Sequence, residues 1–254
     1  MSPNIWTRCG GTCNLRRYRG EAWRVVESQQ LVGTRKWVDS EDEHELLEAL
    51  IDAAKPPAPR GGAFDRLHFL LAAPFRYPPL KYGSRFGKRT ERGIWYGAEA
   101  IRTALAEVAY YRLLFLEGTS ADLPPLMVEL TAFVAALGTE RAADLTAPPF
   151  DAFEEVISSP TDYAAAQALG SAMRADRVVL ARYRSARDAG GGACVAVLSP
   201  EGFARPHPYG FKQWFCVADR RGVEMTRKDF LERGRYTFWR DQFLVDGRLP
   251  APAT

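Results

Sequence analysis

The sequence is poor in the residues from which several common kinds of site are built. Four cysteines and three histidines in 254 residues are too few for a disulfide scaffold in a chain of this size. Cys9 and Cys13 with the distant His44 form a combination that suggests zinc, but a second ligand pair is missing and no metal is expected. The net charge is only +3, without the large basic excess of a dedicated nucleic-acid binder, so direct nucleic-acid binding is not expected. Long apolar runs are absent too. The best run, ending near Leu116, is interrupted by Arg102, Glu107 and Arg112, so no membrane span is expected. The first twenty residues are basic but lack the apolar core of a secretory signal, and a cytoplasmic location is expected. Neither the Walker spacing nor the GxGxxG pattern occurs, which excludes those two ways of cradling a phosphate.

What is present is an ordinary globular balance, 46% apolar and 26% charged, arranged as short strands alternating with a few helices. This pattern predicts an α+β fold. Residues 1–62 are predicted as a small α/β extension: a strand from Glu21 to Glu27, then a helix opened by a Ser40–Glu43 capping box with an apolar stripe of Leu46, Leu47, Leu50 and Ile51. Pro56, Pro57 and Pro59 with Gly61 and Gly62 end it, and residues 63–254 form the main domain. There the expected elements are a strand at Ile94–Tyr96, a helix between Gly97 and Gly118, and a strand from Leu126 to Leu137 with an ambiguous end. A helix starting at Ser159 with Pro160 in its first position comes next. Strands at Val178–Tyr183 and Cys194–Leu198 follow, then a hairpin turning at Asp219–Gly222. Arg233 to Arg240 interleaves cations with aromatics and reads as a terminal strand with a solvated basic face. The tail from Asp246 reads as frayed.

The stretch Pro74–Glu117 concentrates the chemistry. Tyr82 to Arg89 is a loop with two glycines and the cations Arg85, Lys88 and Arg89, suited to a phosphate or pyrophosphate if it is more than a solvated turn. Tyr96 lies on the short strand that follows. Glu107 sits on the apolar helix with Thr103, Ala104, Tyr110 and Tyr111 three and four positions away, so no intrahelical cation neutralises it. Such a carboxylate turns to water, pairs across the fold, or is held for use.

The runs GSRFG and WYGAEAIRTALAE, with RYRSAR at 182–187, resemble the RES domain, a family named for its Arg, Glu and Ser. The resemblance runs from Phe69 to Val217. Arg85, Tyr96, Glu107 and Ser185 match its motif positions, and Arg76 with Tyr77 resembles the arginine-containing segment that precedes them. The chain departs from the pattern at Arg184, where a proline usually precedes the serine, and in GGGACVAVLSP, which lacks the asparagine that usually follows the glycines. The resemblance implies an ADP-ribosyltransferase-like fold with a partly split antiparallel sheet and flanking helices. It also implies activity on NAD+ as substrate, and an Xre-like DNA-binding antitoxin as partner.

On this basis Glu107 would stabilise the ribosyl cation formed when the nicotinamide–ribose bond breaks. Tyr96, with Trp95 nearby, would face the pyridinium. Arg85 and Arg76, with Tyr77, would hold the pyrophosphate, and Ser185 would position by hydrogen bonding. The acceptor of ADP-ribose stays open between water, phosphate and a protein side chain. A non-catalytic nucleotide or nucleic-acid binding module is the competing class. The extension at 1–62, carrying Trp23 and Trp37, would brace the core or bind a partner.

Overall fold

The computed structural model describes residues 4–28, 38–77, 82–229 and 231–252; Trp37 lies outside these. The fold is α+β, built on one eight-stranded mixed sheet. Its strands are β1 (Leu15–Glu27), β2 (Trp95–Ala98), β3 (Leu126–Asp144), β4 (Leu180–Arg184), β5 (Ala193–Val197), β6 (Tyr209–Asp219), β7 (Gly222–Arg227) and β8 (Arg235–Trp239). The helices are α1 (Ile5–Arg8), α2 (Glu41–Ala54), α3 (Phe69–Arg76), α4 (Ile101–Glu117), α5 (Glu154–Ile157) and α6 (Ala164–Ala175).

β3, with 19 residues, is the spine of the sheet. One of its edges pairs with β1 at twelve positions from Leu15↔Ala143 to Glu27↔Leu130. The other edge is divided: β6 takes the first half, Leu126 to Val134, and β4 takes Ala142 to Asp144. The split falls there. On one side β4, β5, β2 and β1 return to β3 and close a five-stranded ring. On the other, β6, β7 and β8 form an open wing.

The sheet is antiparallel, as expected, except that β3 and β4 run parallel. The residues between them carry α5 and α6, and a crossover of that kind is what a parallel pair requires. The first 62 residues also do more than pack on the core, because β1 is a strand of the sheet itself.

α4 lies against the inner face of the wing. Leu105, Ala109, Leu113 and Leu116 bury against Leu130, Trp214, Val223, Met225 and Phe238. A different stripe of the helix, Ala104, Glu107, Val108 and Tyr111, faces a cavity on the ring side. The C-terminal tail, expected to fray, docks on the same helix: Leu249 is buried and Tyr110 Oη donates to the Pro250 carbonyl. α6 begins later than the sequence suggests. Ser159 Oγ accepts from the Thr161 and Asp162 amides, capping a turn ahead of the helix, and Asp162 Oδ1 takes the Ala164 amide at 2.8 Å.

At α2 the Glu43 amide donates to Ser40 Oγ while the Glu43 carboxylate accepts from the Asp39 amide, so the capping box closes one residue early. Its stripe is divided: Leu47 and Ile51 are half-buried, whereas Leu46 and Leu50 are 61% and 59% exposed. Cys9 is buried in the core and its thiol donates to the Pro149 carbonyl, whereas Cys13 is exposed. Among the described residues no three of His, Cys, Asp and Glu are grouped as metal ligands, and no helix is long and apolar enough to cross a membrane.

Candidate active site

β1 and β2 touch at a single pair, Trp23↔Ala98. Where they part, a cavity of about 270 Å³ opens. β1 contributes Trp23, Arg24 and Val25, and β2 contributes Tyr96, Gly97 and Ala98. The α4 stripe, Ser84, Arg85, Tyr163, Tyr183 and Cys194 complete the wall.

Glu107 is held on one oxygen. Ser185 Oγ donates to Glu107 Oε1 at 2.6 Å, and the Cys194 thiol approaches the same oxygen at 3.8 Å. Among the described residues no cation lies within ion-pair distance of the carboxylate, and no hydrogen bond is made by Oε2. Burial, and next the Glu107 carboxylate, push the Cys194 thiol well above its usual range, so it stays a thiol.

Ser185 stands just beyond β4, and its backbone and hydroxyl are both fixed. Its amide donates to the Gly192 carbonyl, and its hydroxyl oxygen accepts the amides of Arg187 and Asp188, each at 3.0 Å. Asp188 then ties this loop to the first turns of α4. Its buried carboxylate accepts from Thr103 Oγ1 at 2.7 Å, from the Gly190 amide at 3.0 Å, and from Arg102. Gly192 is needed at this junction, since a Cβ there would lie 2.0 Å from Thr103 Oγ1 and 2.7 Å from Asp188 Oδ2. Arg184, standing where the family has proline, donates to the Gly191 carbonyl at 2.9 Å and so bridges the two ends of the same loop.

Tyr96 is oriented by the loop before it: its Oη shares a hydrogen bond with Ser84 Oγ at 2.9 Å and accepts the Phe86 amide at 3.1 Å. Burial pushes the phenol up to about 12, which keeps it neutral. The loop is tight because Gly83, at φ 88°, brings its backbone against the Gly87 carbonyl, where a Cβ would come within 2.4 Å.

Arg85 points inward and is buried. Its Nη1 donates to the carbonyls of Ile157 (3.1 Å) and Ser159 (2.9 Å), and the guanidinium lies 4.6 Å from the Tyr163 ring centre. Burial works against this charge, but the Tyr163 and Tyr183 phenols and Glu107 outweigh it and raise the pKa. The other loop cations, Lys88 and Arg89, are exposed and do not line the cavity, so the loop is no phosphate cradle there.

Arg85, Tyr96, Glu107 and Ser185 therefore converge. Arg76 and Tyr77 do not: Arg76 Nε donates to the Pro56 carbonyl and neither residue lines the cavity. Trp95 also points away, fully buried on the opposite face against Phe203. The cation missed in the sequence is Arg24. Its Nη1 donates to the Tyr96 carbonyl at 2.7 Å across the seam, and burial lowers its pKa to about 10. A cation set among the apolar residues Ala22, Trp23, Val25 and Val26 of the strand was the available signal.

Fold and site together define an α+β protein with one carboxylate set into an aromatic-walled cavity. The family model of the RES domain matches residues 62–219, well over half of the sequence, and the chain belongs to the RES domain family. That family is associated with NAD+-acting, toxin-type enzymes. No curated protein matches the chain.

Proposed function

We propose that the protein cleaves the nicotinamide–ribose bond of NAD+ and passes ADP-ribose to water or phosphate, draining NAD+ as a toxin does. The observation that carries this reading is the Glu107 carboxylate, fixed through Oε1 by Ser185 and facing an aromatic cavity. When the C1′–N bond breaks, its electron pair leaves with neutral nicotinamide and positive charge develops on the ribose. A carboxylate already oriented beside that carbon stabilises the charge without reorganising. An oxygen nucleophile then bonds to C1′ and gives up its proton. Tyr96 and Tyr183 supply aromatic surface for the pyridinium, whose charge favours ring faces. Arg85 places positive charge on the wall for the pyrophosphate, whereas the Arg24 guanidinium lies over the Trp95 ring, 5.6 Å from its centre.

The cavity, at about 270 Å³, lies just under the usual ~300–1,000 Å³ of small-molecule sites. It suits the nicotinamide-ribose end and the adjoining phosphates, with the adenosine outside. A protein sealing the opening would keep NAD+ out, the role expected of an Xre-like antitoxin. Transfer to a protein side chain is the second reading of the same site, since the opening faces solvent at Tyr111.

The test is nicotinamide release from NAD+ by purified protein in phosphate-free buffer, in phosphate, and with a bacterial lysate as acceptor. Release is expected. Free ADP-ribose identifies water as acceptor, its 1″-phosphate identifies phosphate, and a labelled protein identifies transfer. A folded, antitoxin-free sample that releases nothing under all three conditions overturns the proposal.

Tyr96→Ala is expected to weaken NAD+ binding about tenfold through loss of one aromatic face, with a smaller fall in kcat. Comparing KM with kcat for this variant checks that assignment. An unchanged KM would remove Tyr96 from the binding surface.

A further inference from the structure

The cavity wall is uneven in one respect. Among the described residues that line it, Tyr111 alone is exposed, at 49%; the others are buried or half-buried. The opening is therefore at Tyr111. Phe115, 62% exposed, follows four residues later on the same face of α4. Burial, and next Tyr163 and Glu107, push the Tyr111 phenol well above its usual range, so its hydroxyl end faces the cavity while the stripe runs outward to the exposed Phe115 ring, about 6 Å further along the helix axis. Tyr110 meets Tyr111 edge-on, with ring centres 5.0 Å apart, and steadies it from below. Beside this path, Arg112 pairs with Glu27 at the end of β1.

We infer that Tyr111, with Phe115 behind it, is a stacking ledge for the adenine ring, so that the protein selects a dinucleotide over a mononucleotide. This rests on the NAD+ reading above. The scissile bond belongs beside Glu107, which is inside, so the nicotinamide end enters first. The cavity has no room for the second nucleotide, and whatever is joined to the ribose leaves past Tyr111. A purine has a π-face and stacks on an exposed aromatic side chain without needing hydrogen-bond readout. Single exposed apolar residues on a surface carry no message. This pair is different because it continues the wall of a cavity.

The test compares NAD+ with nicotinamide mononucleotide, which has the same nicotinamide-ribose end and no adenosine. Dissociation constants are measured by calorimetry in a Glu107→Gln background, so that neither ligand is consumed. Tyr111→Ala should weaken NAD+ binding about tenfold, the order of one base–aromatic stack, and mononucleotide binding by much less. Phe115→Ala should act the same way but less, and Tyr111→Phe should retain the parent affinity for NAD+. Equal weakening of both ligands would make Tyr111 part of the nicotinamide pocket and overturn the ledge. No change for either would overturn it as well. Failure of the parent protein to bind both ligands would instead strike the NAD+ reading, and the ledge with it.

Discussion

Replacing Glu107 by glutamine is expected to lower NAD+ turnover by about 10²–10³-fold, the scale on which a single preorganised electrostatic contact to a developing charge acts. The amide has nearly the same shape, and its oxygen can still accept the Ser185 hydroxyl that now reaches Oε1 at 2.6 Å. What it lacks is the negative charge that opposes the ribosyl cation. The fall should therefore appear in kcat and in kcat/KM alike, while KM and the thermal midpoint stay close to the parent values. Nicotinamide release measured beside a thermal melt separates the two effects. Full activity in Glu107→Gln would end the proposed role of the carboxylate.

Asp188→Ala should be the most damaging substitution that leaves every cavity-lining side chain in place. It removes the acceptor for Thr103 Oγ1 and the Gly190 amide, and frees Arg102. Arg102 is 45% exposed, so water replaces much of that ion pair and its share is small. The two remaining donors are the larger loss, and a buried donor left unmade costs about 1–3 kcal/mol. A total near 3 kcal/mol is expected in chemical denaturation. The loop that delivers Ser185 should loosen with it, lowering kcat at least tenfold by disorienting Glu107. Asp188→Asn, which keeps an acceptor for one donor, should fall between. A variant as stable and active as the parent would show that the loop is held by other means.

The same residue sets a pH dependence. Burial raises the Asp188 pKa, but Thr103, the Gly190 amide and Arg102 outweigh it and hold the group below its ordinary carboxylate value. A group with a depressed folded pKa contributes stability above its unfolded value, about 3.9. That contribution is lost as pH falls through the lower folded value. Denaturation series between neutral and acid pH should show the parent losing stability over this acid range more steeply than Asp188→Asn.

The parts of this site that were legible in the sequence lie on regular elements. The helix carrying Glu107 announced itself by period, and the structure places it at Ile101–Glu117. The hairpin at Asp219–Gly222 was legible because turn chemistry is local. What escaped depended on partners far away in the chain. β1 extends back to Leu15, through a run of arginines, because β3 supplies an unbroken edge for it to pair with. Arg24 was not singled out, because only the parting of its strand from β2 brings it to the cavity. Arg76 was placed by its motif neighbourhood, but the end of α3 turns it toward Pro56. Tyr111 was within reach of the sequence: Ala104, Glu107, Val108 and Tyr111 fall at i, i+3, i+4 and i+7, the spacing of one helix face.

The divided edge of β3 has a consequence for how the molecule comes apart. The ring that holds the cavity and the wing that supports α4 share this one strand: β4 and β6 take different lengths of one edge, and β1 pairs along the other. Neither half-sheet can melt while leaving the other whole, since stripping the wing uncovers the back of the helix that carries Glu107. Loss of the wing and loss of the site are thus one cooperative event. Amide protons of β3 between Leu130 and Val134, bonded to β1 on one side and β6 on the other, should exchange only through global opening.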